Sequence, residues 1–451
     1  MKRKAKPAIL FLLLFLLAGC QAKQPPIVLI IIDTLRYDHV GADGYARKIS
    51  PSLDLFARDA VRFEDAQAAA SWTVPSMASL FTGVYPWDHG VVAAEVGNRS
   101  IKNQQVLSEQ FVTLAETLKK AGYATWGVSA NYHMHPQYGM EQGFEKYQVF
   151  RFCARDLVDK QLKSWLPQIA LQWSKGQPYF LYVHYFDPHH PYLPVHPFID
   201  QIHPNLNPEE AYKEGLEEQG HLLLSYYLKN PDKMQMLVDL YDSEIQGVDE
   251  SVGRLLDKLP GGDQAVVLIT ADHGEAFGEH QNMLHGTDLY EETLHVPLLV
   301  RLPHKNYAGT VNKNLTSLID LYPTLATLAR AKSPNYLRGM DLNQHWSGAP
   351  YKKNRRLFAM VERQPNAHWQ CVLDQSYKLA ERENPHQSEL YDRRADPSEK
   401  INIIFKKSEV SNALKKELEQ ARPAKLMHNP GVTNRPMDKD LQKQLKGLGY
   451  L

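Results

Sequence analysis

Ile27-Val-Leu-Ile-Ile-Ile-Asp33 is six apolar residues in a row, halted by a carboxylate. Such a run has no polar face. It therefore reads as a strand covered on both sides, the habit of a parallel sheet. Two later runs share this character. Tyr179-Phe-Leu-Tyr-Val183 leads into His184, and Ala265-Val-Val-Leu-Ile-Thr270 leads into Asp272. In open α/β sheets, ligands bind beyond the carboxyl ends of the strands. The polar residues that stop these runs are therefore expected along one edge.

Helical patterns separate the strands. Leu114 to Lys120, followed by Gly122, reads as one helix. Met234 to Leu259, closed by Pro260-Gly-Gly262, reads as another, and Leu318 to Leu328 as a third. Alternating strands and helices predict an α/β fold with a mostly parallel, helix-flanked sheet. From about residue 331 the texture changes. Segments near 356–362, 368–374 and 377–381 read as short antiparallel strands, followed by a basic, helix-forming tail. The expected division is a catalytic part over 27–335 and a C-terminal α+β subdomain over 336–451.

The 51 basic residues balance 51 acidic ones among 451, so nothing favours nucleic acid as a partner. The first residues do suggest a destination. Lys2, Arg3, Lys4 and Lys6 precede an apolar run from Ala8 to Leu17, then Leu17-Ala-Gly-Cys20. This is a basic, apolar, small-residue succession of a cleaved signal over 1–19. Its ending resembles a bacterial lipobox, which implies a lipidated Cys20 on a short tether, 20–26. Gln21 is not the Asp that marks inner-membrane retention. The expected location is therefore the bacterial cell envelope, on the periplasmic face of the outer membrane if the cell is Gram-negative. Cys153 and Cys371 remain, as a disulfide or as two separate thiols.

Asp272 and His273 are adjacent at one strand end, and Asp33 stands at another. Oxygen and nitrogen donors without thiolates suit one divalent cation: Ca, Mg, Mn or Zn. In Ser71-Trp-Thr-Val-Pro-Ser-Met77, Pro75 marks a helix start with Thr73 just ahead of it. A hydroxyl there is either a helix cap or, beside a metal, a nucleophile.

Further segments extend the pattern: Ile30 to Arg36, Ser50 to Asp54, Thr73 to Gly83, Phe180 to Tyr192, Tyr241 to Asp249, Thr270 to Pro297, Asp320 to Thr324, Glu389 to Asp392 with Asp396-Pro397, and Leu448 to Tyr450. Through these the chain resembles the sulfatase family of the alkaline phosphatase superfamily. The resemblance implies a large mixed sheet between helices plus a small C-terminal antiparallel sheet. It implies that Thr73 is the nucleophile and that Asp33, Asp272, His273 and Thr73 itself hold the metal. It also places His189 against the anionic group, and His285 where many sulfatases have a lysine, there to stabilise the anion or to protonate the leaving oxygen. His280 and His184 are weaker candidates, expected in supporting or structural roles, and His89 resembles a histidine of a loop that follows the helix.

Three departures matter. Thr34 stands where the family has a second metal carboxylate, with Asp38 a possible substitute. Asn131-Tyr-His-Met-His135 replaces the usual Gly-Lys-Trp-His segment. Above all, the Cys/Ser-x-Pro-x-Arg pattern, whose Cys or Ser is oxidised to formylglycine, reads Thr73-Val-Pro-Ser-Met77. Oxidising a threonine would give a ketone, so the aldehyde route is closed. The expectation is a metal-dependent hydrolase or phosphotransferase on anionic phosphate or sulfate esters, with phosphoryl chemistry favoured. The substrate would be an envelope glycan or lipid. The alternatives are a sulfatase working without formylglycine and a silent binding lipoprotein.

Overall fold

In the strand Ile27–Ile32 (β1) every side chain is buried to 0% exposure. Burying each is worth about 1.5–3 kcal/mol relative to leaving it in water, which fixes this run at the centre of the sheet. The computed structural model describes residues 23–92, 103–150, 155–207, 220–351, 354–362, 368–383, 386–422 and 433–436. The Cys20 anchor, Cys153 and the Leu448–Tyr450 motif lie outside these residues.

The other strands of the main sheet are Val61–Phe63 (β2), Ala124–Ser129 (β3), Lys146–Val149 (β4), Tyr179–Tyr185 (β5), Val266–Thr270 (β6), Leu298–Arg301 (β7) and Val311–Asn312 (β8). Their order is β8-β2-β7-β6-β1-β5-β3-β4. β1 runs parallel to both β5 and β6, and β3 parallel to β5 and β4. β7 alone is reversed, antiparallel to β6 and β2. This is the expected mixed, mostly parallel sheet.

Helices cover both faces. Pro51–Arg58 (α1), Arg155–Ser174 (α4) and Pro231–Leu256 (α5) pack together on one side. Thr73–Thr82 (α2), Leu114–Lys120 (α3) and Leu321–Leu328 (α6) pack together on the other, and β3 touches a member of each group. α3 has the predicted bounds and begins with a capping box between Thr113 and Glu116. The segment predicted as a helix from Leu318 starts instead as a 3-10 turn, Leu318–Asp320, because the Asp320 carboxylate accepts from Ser317 N and Met340 N.

The C-terminal sheet is antiparallel: Leu357–Glu362 (β9), His368–Leu373 (β10), Tyr377–Arg382 (β11) and Gln387–Asp392 (β12). β12 was not foreseen as a strand. Its Glu389, Leu390 and Tyr391 are buried in succession, so the run lacks the alternation that marks a half-buried strand. The helix Ser408–Ala421 (α7) packs on β10 and β11. Met360, Val372, Leu379, Leu414 and Leu418 share one core with Tyr85, Trp87 and Ile319, so the small sheet is bonded directly onto the larger part.

Candidate active site

Register brings the polar strand ends together. Ile31 of β1 faces His184 on one side and Thr270 on the other, so Asp33 and Asp272, each two residues further on, reach the same level. Beyond Asp33 the chain turns through Thr34 at φ 54°, a conformation β-branched residues rarely adopt. The strain is held by three bonds. Thr34 N donates to Asp272 Oδ1 at 3.3 Å, Tyr241 Oη donates to Thr34 O at 2.8 Å, and Arg36 N donates to Tyr241 Oη at 3.0 Å.

Asp33, Asp272 and His273 form one buried cluster whose donor atoms lie within 4.8 Å of one another. His273 Nε2 is 3.4 Å from Asp272 Oδ2 and 3.8 Å from Asp33 Oδ1. Both of those carboxylate oxygens are buried with no hydrogen-bond partner. His273 Nδ1 lies 2.9 Å from Gly274 O, which makes Nδ1 the protonated nitrogen and leaves the Nε2 lone pair facing the carboxylates. Two orphaned carboxylate oxygens and one imidazole lone pair converging in a buried site are what a divalent cation requires. Burial pushes the Asp33 carboxyl up to about 6. Burial and the neighbouring Asp33 charge raise Asp272. A cation between them would reverse both shifts.

Thr73 is the first residue of α2, and the cap position belongs to Trp72, which makes no side-chain cap bond. The Thr73 hydroxyl is therefore not a cap. Its Oγ1 lies 3.4 Å from His273 Nε2 and accepts from Asn131 Nδ2 at 3.2 Å. Asn131 Nδ2 also donates to Asp33 Oδ2. Asn131 follows β3, and its Oδ1 is occupied by His133 N at 2.8 Å, which fixes the amide's orientation. In the sequence Asn131 stands out only as part of the segment that replaces Gly-Lys-Trp-His. The available signal was its place two residues past a buried strand, on the edge already inferred. Ser76 Oγ donates to Asp272 O at 2.6 Å and pins the first turn of α2 to the metal-type cluster.

His273, His285 and His189 stand in a row. The ring centres of His273 and His285 are 4.4 Å apart, and those of His285 and His189 are 4.8 Å apart. His285 Nδ1 lies 2.9 Å from Glu275 Oε1, and Tyr192 Oη donates to Glu275 Oε2 at 2.8 Å. Glu275, which no sequence motif marks, thus grips His285 by Nδ1 and fixes its ring between those of His273 and His189. Burial holds His189 well below the usual imidazole range, so its ring is neutral. His184 Nε2 lies 3.3 Å from Asp33 Oδ2, and burial takes His184 down to about 4.

Other candidates fall away. Asp38 is no substitute ligand, because Arg36 holds its carboxylate at 2.8 Å through two nitrogens and its side chain is 61% exposed. His89 bonds Ser79 Oγ at 2.9 Å and steadies the far half of α2. His280 stacks on Tyr290 and pairs with Glu292 at 2.8 Å, beside the C-terminal sheet. Met77 is fully buried in the core, so no cation stands in for the missing arginine at that position. Gly274 is required by close approach, not by an unusual φ: a Cβ there would lie 2.1 Å from Glu292 O.

A family model described as Sulfatase matches residues 25–331, and one described as N-sulphoglucosamine sulphohydrolase, C-terminal, matches 278–424. The ulvan-active sulfatase of Formosa agariphila is 25% identical over 90% of this chain and 84% of its own length. A solved structure of a complex with its substrate D-glucosamine-2-N,6-O-disulfate superposes with a TM-score of 0.72 at 20% identity, over 94% of this chain and 99% of that one. The phosphonate monoester hydrolase of Agrobacterium radiobacter superposes with a TM-score of 0.70 at 20% identity, over 92% and 100%.

Proposed function

The chain belongs to the sulfatase family, and from that premise we propose that it is a metal-dependent hydrolase of phosphate-type esters that uses Thr73 as its nucleophile. The observation that carries this reading is the Thr73 hydroxyl beside His273 Nε2, against two buried carboxylate oxygens with no partner. Asp33, Asp272, His273 and Thr73 Oγ1 would hold one divalent cation. When bound, that ion supplies the positive charge that favours the Thr73 alkoxide and neutralises non-bridging ester oxygens.

The chain's own groups do the rest. Asn131 Nδ2 bonds Thr73 Oγ1 and orients it for attack. The N-terminus of α2 adds a favourable dipole for the anion. His285, fixed by Glu275, protonates the leaving oxygen, and His189 packs against its other side. The Thr73 hydroxyl gives up its proton to solvent as the new bond joins Oγ1 to phosphorus, and the leaving oxygen departs with the bonding pair and takes the proton of His285. Water then attacks the phospho-threonine and restores Thr73; an acceptor hydroxyl in its place would make the enzyme a transferase. A formylglycine hydrate can expel sulfate by collapsing to the aldehyde, and a threonine ester has no such exit. That is why phosphoryl transfer is favoured over the sulfate esters named for the relatives.

We also propose that lipid at Cys20 anchors the enzyme in the bacterial envelope, with an anionic glycan or lipid ester as substrate. Among the described residues, no helix is long and apolar enough to cross a membrane. Matched aryl phosphate mono- and diesters and aryl sulfates, assayed with Ca, Mg, Mn and Zn in turn, test the chemistry. Phosphate-ester turnover that requires metal and vanishes in Thr73→Ala is expected. Sulfate release alone would establish the sulfatase reading instead. No turnover and no bound metal would leave a binding protein.

A further inference from the structure

The residues next to the expected anchor sit at the edge of the sheet opposite the catalytic one. Lys23 Nζ donates to Trp173 O at 3.1 Å and lies 3.1 Å from the centre of the Trp173 ring. Gln24 Nε2 donates to Ala329 O and Ala121 O, Tyr123 Oη donates to Pro25 O at 2.9 Å, and Val266 N donates to Pro26 O at 2.8 Å. These contacts clamp 23–26 to the starts of β3 and β6 and the end of α4. Asp33 lies across the length of β1, about 20 Å away at 3.3 Å per residue. Only Gln21 and Ala22 separate Cys20 from Lys23, so the three steps between them span at most about 11 Å.

The same edge is basic. Exposed Lys120 and Arg330 are chain neighbours of Ala121 and Ala329, the two acceptors of Gln24, and exposed Lys332 follows. Exposed Lys175 lies two residues past Trp173, and exposed Lys258 two before Pro260, whose carbonyl accepts from Tyr179 at the start of β5. The exposed acids of these same segments are Asp257 and Asp263. Two further basic residues there are already paired, Lys119 with Glu145 and Lys305 with Asp59. The whole chain is neutral, and loss of residues 1–19 with Lys2, Arg3, Lys4 and Lys6 would leave it acidic, so this excess is local.

We propose that this N-terminal edge of the sheet is a docking surface for an anionic phospholipid bilayer, and that it holds the catalytic edge facing away from the anchoring membrane. The proposal rests on the anchoring reading above and sharpens it. A short tether and a basic face make two weak membrane signals into one oriented attachment. The catalytic cluster then stands a sheet's height or more above the headgroups. Its substrate is an ester on a polymer or soluble molecule in the aqueous envelope, and not a headgroup of the leaflet that holds the enzyme.

The test uses the mature lipidated chain in vesicles of phosphatidylcholine with or without phosphatidylglycerol. Amine-reactive labelling is read by peptide mass spectrometry, and the mass of the first peptide reports lipid at Cys20. On anionic vesicles Lys175, Lys258 and Lys332 should be protected. Lys313, at the catalytic edge with a side chain 77% exposed, should label as fast as in detergent. Protection of Lys313 instead, or equal labelling of both sets, overturns the proposal. So does turnover of a phosphate-ester lipid in the enzyme's own leaflet that outpaces a water-soluble ester.

If Cys20 carries no lipid, the anchoring reading fails by itself. The basic edge is then tested by binding of the Cys20→Ser chain to phosphatidylglycerol vesicles. Each of Lys120→Gln, Lys258→Gln and Lys332→Gln should weaken that binding about fivefold, the equivalent of about 1 kcal/mol per charge. No salt-sensitive binding overturns the proposal. Some of these lysines also end helices and offset their dipoles; that role alone would lower the Tm of the variants and leave vesicle binding unchanged.

Discussion

Thr73 carries its hydroxyl on a branched carbon, and the buried first turn of α2 leaves it one direction to face. That direction is toward His273 and Asn131. On the proposed reading Thr73→Ala is expected to lower kcat by about 10³-fold or more, because among the described residues no other hydroxyl stands beside the Asp33–Asp272–His273 cluster with the same reach. Thr73→Ser keeps the oxygen and should retain most activity; metal content, read by elemental analysis, should change little in Ser. On the same reading Glu275 acts one step removed, through His285. Glu275→Gln is expected to reduce kcat about 10–100-fold on alkyl esters, whose leaving oxygen needs a proton. Aryl esters with good leaving groups should be nearly unaffected, and KM should stay the same. An equal loss on both substrate types would show that Glu275 merely supports the fold.

At the scale of elements, the turn after β6 is clamped rather than free. Gly274 N donates to Thr293 O at 2.9 Å, and Glu275 N donates to Glu292 O at 3.0 Å. Gly274→Ala would drive a methyl into Glu292 O. A loss of about 1–3 kcal/mol in stability is expected, with a displaced His273 and weakened metal binding. Denaturant unfolding and metal titration measure the two effects separately. The clamp continues outward, since His280, between that turn and the C-terminal sheet, pairs with Glu292 and donates to Glu399 O at 3.0 Å. Burial would lower its pKa, but the Glu292 carboxylate prevails and raises it from 6.5 to about 9. A raised histidine stabilises the folded state fully below pH 6.5 and loses that contribution as pH rises toward 9. The stability gap between the protein and His280→Gln should therefore be about 1 kcal/mol at pH 6 and close to nothing at pH 9.

At the scale of the whole molecule, a buried ion pair joins the two sheets' surroundings. Lys378 of β11 lies 2.9 Å from Glu399, and both side chains are 1% exposed. Glu399 Oε2 also accepts from Glu291 N at 3.0 Å, next to the segment that clamps the catalytic turn. Lys378→Ala leaves an uncompensated buried charge and should cost about 3–5 kcal/mol. The double change Lys378→Met with Glu399→Leu should recover much of that. Thermal unfolding of the three variants compares them, and a mild effect of Lys378→Ala would mean that water reaches the pair. The small sheet thus serves the site at a distance, by holding 288–295 against 273–275.

The central strands and the metal-type cluster were legible in the linear chain. Continuous apolar runs admit one burial pattern, and Asp33, Asp272 and His273 end such runs, so strand polarity alone set them on one edge. The antiparallel pairs β9 to β11 were legible for a similar local reason. Tertiary structure decided what depends on residues far apart in sequence. Asn131 is bonded to Thr73 and Asp33 across 58 and 98 positions. Glu275 grips His285 around a loop, and Asp38, apparently available, is claimed by Arg36. It also decided that Lys23 lies on the edge opposite Asp33, where it meets Trp173 across 150 positions, and where Gln24 meets Ala121 and Ala329. Hydrophobic periodicity is local and survives in one dimension. Side-chain pairing is a contest among partners that only the folded chain brings within reach.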